Sequence, residues 1–199
     1  MRYLLIIMLL SITTACAPII PNENNQYKLV AYSNDKISNQ KTDMTILVSQ
    51  TQAISGYQTE QMLYTNKPYQ LSSFVKNSWM SPPAAMLTPL IVQSLQFSNY
   101  FFAIASGPDV DKTDYKLETQ IISFQQNFLT KPSQIELSIQ ASISHTDDNR
   151  LIASKTFVIN TPCMNNSPYS GVVAANNAVH IFTKELTNYV ISQIRMDNK

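Results

Sequence analysis

Alternating hydrophobic and polar residues dominate the second half of the chain. Residues 115–121 alternate almost without a break, and residues 135–143 alternate Ile, Leu and Ala with Glu, Ser and Gln. A period of two is typical of a strand with one buried and one solvated face. With the turn-like residues 146–149 and the apolar segment 151–159, the pattern predicts a three-stranded antiparallel meander. Phe124 follows a slip in phase, which predicts a bulge or a bend in the first of these strands.

Shorter apolar segments in the first half predict further strands. The sequence Thr-Asn-Lys-Pro at 65–68 is typical of a turn, so the segments on either side of it are expected to form a hairpin. The predicted strands cover residues 27–33, 44–49, 61–64, 69–72 and 100–105.

Helical spacing of apolar residues appears twice. Ser81 is a candidate N-cap and Pro82-Pro83 suit a first turn, so a helix is expected to run to about Ser98. A second apolar stripe predicts a helix over residues 172–194. The order of strands, helix, strands and helix predicts an α+β fold: a two-layer sandwich with two main helices on one face of a mostly antiparallel sheet.

The N-terminus has the three parts of a secretory signal. Arg2 is followed by an apolar segment over residues 4–12 and by small residues up to Cys16. That segment is much shorter than the roughly 20 residues of a membrane-spanning helix. Thr14-Ala15 before Cys16 resembles a lipobox, the site cleaved by the lipoprotein signal peptidase. An ordinary signal peptide with an incidental cysteine is the alternative.

The lipobox resemblance implies that residues 1–15 are removed and that Cys16 receives a diacylglycerol and an N-linked acyl chain such as palmitate. Two or three acyl chains anchor a protein stably, whereas one does not. Ala17, where Asp would favour retention at the inner membrane, implies the outer membrane of a Gram-negative bacterium. Residues 16–26 are interpreted as a lipidated tether, and residues 27–199 as a single periplasmic domain.

Composition narrows the possible functions. The net charge is +1 without a run of Lys or Arg, which argues against a nucleic-acid partner. With only three glycines, the chain cannot form a glycine-rich phosphate-binding loop. Its two histidines have no partners at the spacing of a catalytic or metal-binding motif. Asp147-Asp148 is interpreted as turn chemistry. With Cys16 acylated, Cys163 has no pairing partner and is expected to be a small buried or loop residue. The sequence therefore predicts a protein that is not an enzyme and needs no cofactor beyond its lipid.

Aromatic residues around the predicted hairpin are candidates for partner binding. Tyr64, Tyr69 and Trp79 lie close together in sequence, and Tyr and Trp are favoured at protein interfaces. The alternative for Trp79 is that it packs beneath the following helix as part of the core.

Several segments, together with the lipobox, carry a further resemblance: residues 61–64, 69–71, 77–83, 114–117 and 172–175. In their order and spacing the chain resembles the auxiliary lipoproteins of MCE-type ABC transporters, the PqiC or YmbA-like family. The resemblance implies a non-enzymatic accessory subunit of an intermembrane lipid transport system, with an MCE-domain protein as partner, and leaves open a homo-oligomeric ring. The alternative is an assembly lipoprotein or chaperone of an outer-membrane β-barrel, such as the lipopolysaccharide translocon.

Overall fold

The computed structural model describes residues 24–107 and 112–198. These residues form nine strands in one sheet and two helices. The elements are β1 (Asn25–Tyr27), β2 (Thr45–Val48), β3 (Gln52–Ala53), β4 (Gln61–Lys67), β5 (Gln70–Trp79), α1 (Pro83–Phe97), β6 (Ala103–Ser106), β7 (Tyr115–Asn127), β8 (Gln134–His145), β9 (Leu151–Pro162) and α2 (Pro168–Asp197).

Strand β7 is the centre of the sheet. One of its edges pairs antiparallel with β8 along the whole strand, from Tyr115 opposite His145 to Asn127 opposite Gln134, and β8 pairs antiparallel with β9. This confirms the predicted meander. The register shifts between Ile121 and Ser123, where the sequence loses its phase, so the predicted bulge is also confirmed.

The other edge of β7 is shared by three short parallel strands. β2, β3 and β4 pair with it in turn, through Ile46 with Tyr115, Gln52 with Gln120 and Tyr64 with Gln126. β4 and β5 form the predicted hairpin, while β1 and β6 add parallel edge strands to β5 and β2. The α+β sandwich is confirmed, and its sheet is mixed. Hydrophobic periodicity places a residue on a face but does not specify the direction of its neighbouring strand.

Helix α1 begins where the two prolines predict. Pro82 takes the N-cap position and no side chain caps the helix, so the predicted capping by Ser81 is wrong. Leu87, Ile91 and Leu95 recur at helical spacing and are almost completely buried against the sheet and α2.

Helix α2 begins at Pro168, before its predicted start at residue 172. Ser167 is the N-cap, and its side chain accepts a hydrogen bond from the backbone N–H of Ser170. Gly171 lies in the first turn, where a Cβ would collide with the side-chain oxygen of Gln126 on β7. The absence of a side chain at 171 therefore lets the helix approach the sheet closely.

The predicted strand over residues 27–33 is wrong. Asn25 and Gln26, assigned to the tether, pair with β5 in β1 together with Tyr27. The chain then leaves the sheet, and residues 28–38, here called the strap, contact both helices. The apolar residues of the strap had suggested a strand, but they pack on helices.

Helix side chains supply the hydrogen bonds that a neighbouring strand would otherwise give the strap. Asn176 Oδ1 accepts from the N–H groups of Val30 and Ala31 at 2.8 and 3.2 Å. The Ser33 N–H donates to Thr183 Oγ1 at 2.9 Å. Positions 176, 180 and 183 lie on one face of α2, and His180 Nδ1 lies 2.9 Å from the Tyr32 carbonyl oxygen. The strap is thereby fixed to a polar stripe on α2.

Candidate functional site

The predicted lipidation site, Cys16, lies outside the described residues. Asn24 is the first described residue, and its side-chain amide donates to Ser78 Oγ at 2.9 Å. The first described residue therefore lies at the sheet edge formed by β1.

Trp79 belongs to the core and not to a surface. It is 4% exposed and stacks on Phe124, with ring centroids 5.5 Å apart and planes inclined by 19°. It is the last residue of β5, and its indole packs beside Met62 on β4. The alternative of a core tryptophan is the one that the structure shows.

Tyr64 and Tyr69 occupy different environments. Tyr64 is half-buried and contacts two other rings, Phe74 at 4.6 Å and Phe128 at 5.8 Å between centroids. Tyr69 lies in the turn of the hairpin, where its backbone φ is 64°. Its side chain is fully exposed, with 109% of the accessible area of a reference tyrosine. The three predicted residues thus do not form one surface, because β5 passes from a solvated turn into the core between them.

Two exposed residues of β5 were missed by the sequence analysis. Val75 is 84% and Leu71 is 42% exposed, and both follow Tyr69 along the strand. The predicted strand ended at Ser72, so Val75 was not placed on it. We call Tyr69, Leu71 and Val75 the hairpin patch. The Tyr64–Phe74–Phe128 ring cluster supports the hairpin that presents it.

Both histidines have partners within the fold. His180 contacts the strap, and His145 Nε2 lies 2.7 Å from Asp197 Oδ2. Asp148 accepts a hydrogen bond from the Arg150 N–H within the turn. Cys163 is buried, as expected, and burial raises the pKa of its thiol. Among residues 24–107 and 112–198, no group of His, Cys, Asp and Glu is arranged to hold a metal ion.

A cleft of roughly 780 Å³ lies between α1 and strand β2. Leu47, Val48, Pro89 and Val92 form much of its wall, and hydroxyl and amide side chains complete it. None of its lining residues is titratable. The apolar side chains of this wall suit an apolar ligand.

Asp197 joins the end of α2 to the meander. Its carboxylate contacts His145, and Arg150 Nη2 donates to its Oδ1 at 3.3 Å. Partial burial raises the pKa of Asp197, but the hydrogen bonds and charges of His145 and Arg150 outweigh it and lower the pKa below the ordinary value.

Asp197→Asn is expected to reduce the free energy of unfolding at neutral pH by about 1 kcal/mol, since it weakens these charged hydrogen bonds. A lowered pKa stabilises the fold above the ordinary Asp pKa of about 3.9, and this contribution is lost as the pH falls below it. In urea titrations the difference from the parent should therefore be full near pH 7 and should shrink as the pH falls below about 3.9. Asp147→Asn, in the neighbouring turn, is the matched control, and an equal effect there would contradict the assignment.

In the part of the chain that the structure describes, no helix is long and apolar enough to cross a membrane. The described residues thus form a two-layer α+β domain with exposed apolar side chains on its surface. Residues 27–186 match the family model of the ABC-type transport auxiliary lipoprotein component, and the chain belongs to this family.

Solved structures share the fold. Protein XCC0632 from Xanthomonas campestris superimposes with a TM-score of 0.80 at 19% identity, covering 87% of this chain and 98% of that one. A second structure, of an uncharacterized protein, has a TM-score of 0.67 at 15% identity, covering 84% of this chain and 99% of that one. No functionally curated protein matches the sequence.

Proposed function

We propose that this protein is a non-enzymatic accessory subunit of an MCE/ABC-type intermembrane lipid transport system, anchored in the outer membrane through acylated Cys16 and facing the periplasm. The hairpin patch is the surface that binds the MCE-domain protein. The observation that carries the proposal is an exposed apolar hairpin on a domain of the transport auxiliary lipoprotein family.

The hairpin patch has the character of a binding surface. Tyr69 and Val75 expose nearly all of their side chains, although apolar side chains gain free energy when removed from water. Tyrosine offers a large contact area at small entropic cost. The ring cluster beneath the patch holds β4 against β5, so the surface is already ordered before a partner binds. Binding therefore costs little conformational entropy.

Cys16→Ser is expected to abolish acylation and to release the protein from membranes, because the thiol is the attachment point of the diacylglycerol. Mass spectrometry of the mature N-terminus and density separation of inner and outer membranes check this. Cys163→Ser is the control and should leave anchoring unchanged. An unmodified N-terminus in the parent protein, or a lipidated protein found in the inner membrane, would contradict the anchoring proposal.

Combined Tyr69→Ser and Val75→Ser substitutions are expected to remove most of the binding to the proposed MCE-domain partner. Both residues are exposed, so the melting temperature should hardly change. Binding is measured by pull-down of the lipidated protein from detergent extracts. The matched control is Leu151→Ser with Val158→Ser, since these residues are 61% and 65% exposed on β9, away from the hairpin.

The two outcomes of the pull-down separate the proposal from its alternative. Recovery of the MCE protein by the parent and the β9 variant, but not by the hairpin variant, supports it. Recovery of an outer-membrane β-barrel protein in place of the MCE protein, or equal binding by both variants, overturns it.

A further inference from the structure

A second exposed apolar area surrounds the start of both helices. Val30, Met80, Tyr169 and Val173 are 52%, 55%, 63% and 46% exposed. Tyr27, half-buried, lies among them. We call these five residues the helix-start patch. None of the five is acidic, and the proposed partner surface on the hairpin does not include them.

Contacts between its members show that the patch is continuous. The rings of Tyr27 and Tyr169 lie 6.1 Å apart, and the Met80 N–H donates to the Tyr27 carbonyl at 2.8 Å. Tyr169 and Val173 are four residues apart on α2 and therefore neighbours on its surface. Asn176, one turn further along α2, accepts from the Val30 N–H.

The patch lies next to the point where the chain enters the fold. Tyr27 is three residues from Asn24, the first described residue. Only eight residue steps separate Asn24 from Cys16 (24 − 16), so the intervening chain spans at most about 29 Å even when fully extended. A lipid anchor at Cys16 therefore keeps this part of the domain close to the bilayer surface.

The composition of the patch suits a membrane interface. Tyrosine places an apolar ring at the headgroup level with its hydroxyl in water. Lys28, exposed between Tyr27 and Val30, can extend its ammonium towards phosphate groups while its methylenes lie on the patch. Both helices begin beside the patch, and the N-terminal end of a helix carries a partial positive charge.

We infer that the helix-start patch rests on the phospholipid surface of the membrane, so that the domain is held in one orientation and does not swing freely on its anchor. This inference depends on the proposed acylation of Cys16. The bilayer, and not a second protein, is the occupant because the short connection to the anchor keeps the patch near the membrane and its tyrosines suit the headgroup region.

A fluorescent probe in the patch tests the inference. The test variant is the lipidated mature protein with Tyr169→Trp, and the control variant is the same protein with Phe102→Trp. Phe102 is 63% exposed and precedes β6. Both variants are reconstituted into vesicles of phosphatidylethanolamine and phosphatidylglycerol, with and without brominated acyl chains. Native Trp79 is buried and gives a constant background measured on the parent protein. The probe at position 169 should shift to shorter wavelength on vesicles and lose emission with brominated lipid, while the probe at 102 does neither.

Flotation of the same samples distinguishes the proposed acylation from the proposed orientation of the domain. Protein that floats with vesicles while the probe at 169 is neither shifted nor quenched overturns the orientation but leaves the anchor intact. A probe at 169 that is shifted but not quenched shows coverage by a second copy or another protein, which also overturns it. Protein that does not float contradicts the proposed acylation, and with it the premise of the orientation.

Discussion

Replacing Trp79 by alanine is expected to lower the free energy of unfolding by roughly 3–5 kcal/mol, the range for truncating a fully buried large aromatic residue. The indole fills the space between β4, the end of β5 and Phe124, on which it stacks. Its removal loses the buried area, leaves a cavity and removes one ring of an aromatic pair. Since folded domains are stable by only about 5–15 kcal/mol, this one change removes a large part of the total.

Urea or guanidinium titrations measure this loss. Trp79→Phe should restore part of the stability because a ring remains against Phe124. Tyr69→Ala, which removes a fully exposed ring from the same hairpin, should change the unfolding free energy by less than about 0.5 kcal/mol. A Trp79→Ala protein as stable as the Tyr69→Ala protein would refute the core position of Trp79.

Asn176→Ala is expected to cost about 1–2 kcal/mol, because three backbone hydrogen bonds at a partly exposed position are exchanged for bonds to water. Its side chain accepts from the N–H groups of Val30 and Ala31 and donates to the Lys28 carbonyl at 3.3 Å. Alanine leaves these three backbone groups without that partner. The strap should then open locally before the rest of the domain unfolds.

Asn177→Ala is the matched control for this variant. Asn177 is exposed on the same helix, one position away, and alanine has the higher helix propensity, so the substitution should be neutral or slightly stabilising. Hydrogen exchange provides the specific readout, with faster exchange at the Val30 and Ala31 amides only in Asn176→Ala. Equal exchange in both variants would show that Asn176 does not hold the strap.

The sequence predicted those elements whose burial contrast is strong. In β7 and β8, buried and solvated residues alternate, and the meander follows directly. β5 lacks that contrast, since most of its residues are half-buried or exposed, and its predicted end at Ser72 fell short of Trp79. Helix α2 starts at a Ser-Pro pair ahead of its apolar stripe, so a search for periodicity alone placed its beginning too late.

The surfaces were harder to predict than the elements. Aromatic residues that are close in sequence share a surface only if the strand that joins them is equally exposed along its length and has no shift in register. Tyr69 lies at a solvated turn and Trp79 at the buried end of the same strand, and this difference depends on pairing with β1 and β4. The helix-start patch joins three separate segments of the chain, around residues 27–30, 80 and 169–173, so no local pattern could have indicated it.

The strap also constrains the order in which parts of the domain can fold. Its hydrogen-bond partners on α2 lie about 150 positions later in the chain, as in the pairing of Ser33 with Thr183. If the chain is exported from its N-terminus, as the proposed acylation of Cys16 requires, residues 30–33 emerge long before Asn176 and Thr183, to which they bond. Contacts of such sequence separation form slowly. This part of the strap would therefore dock late, which leaves time for the proposed acylation and cleavage at Cys16.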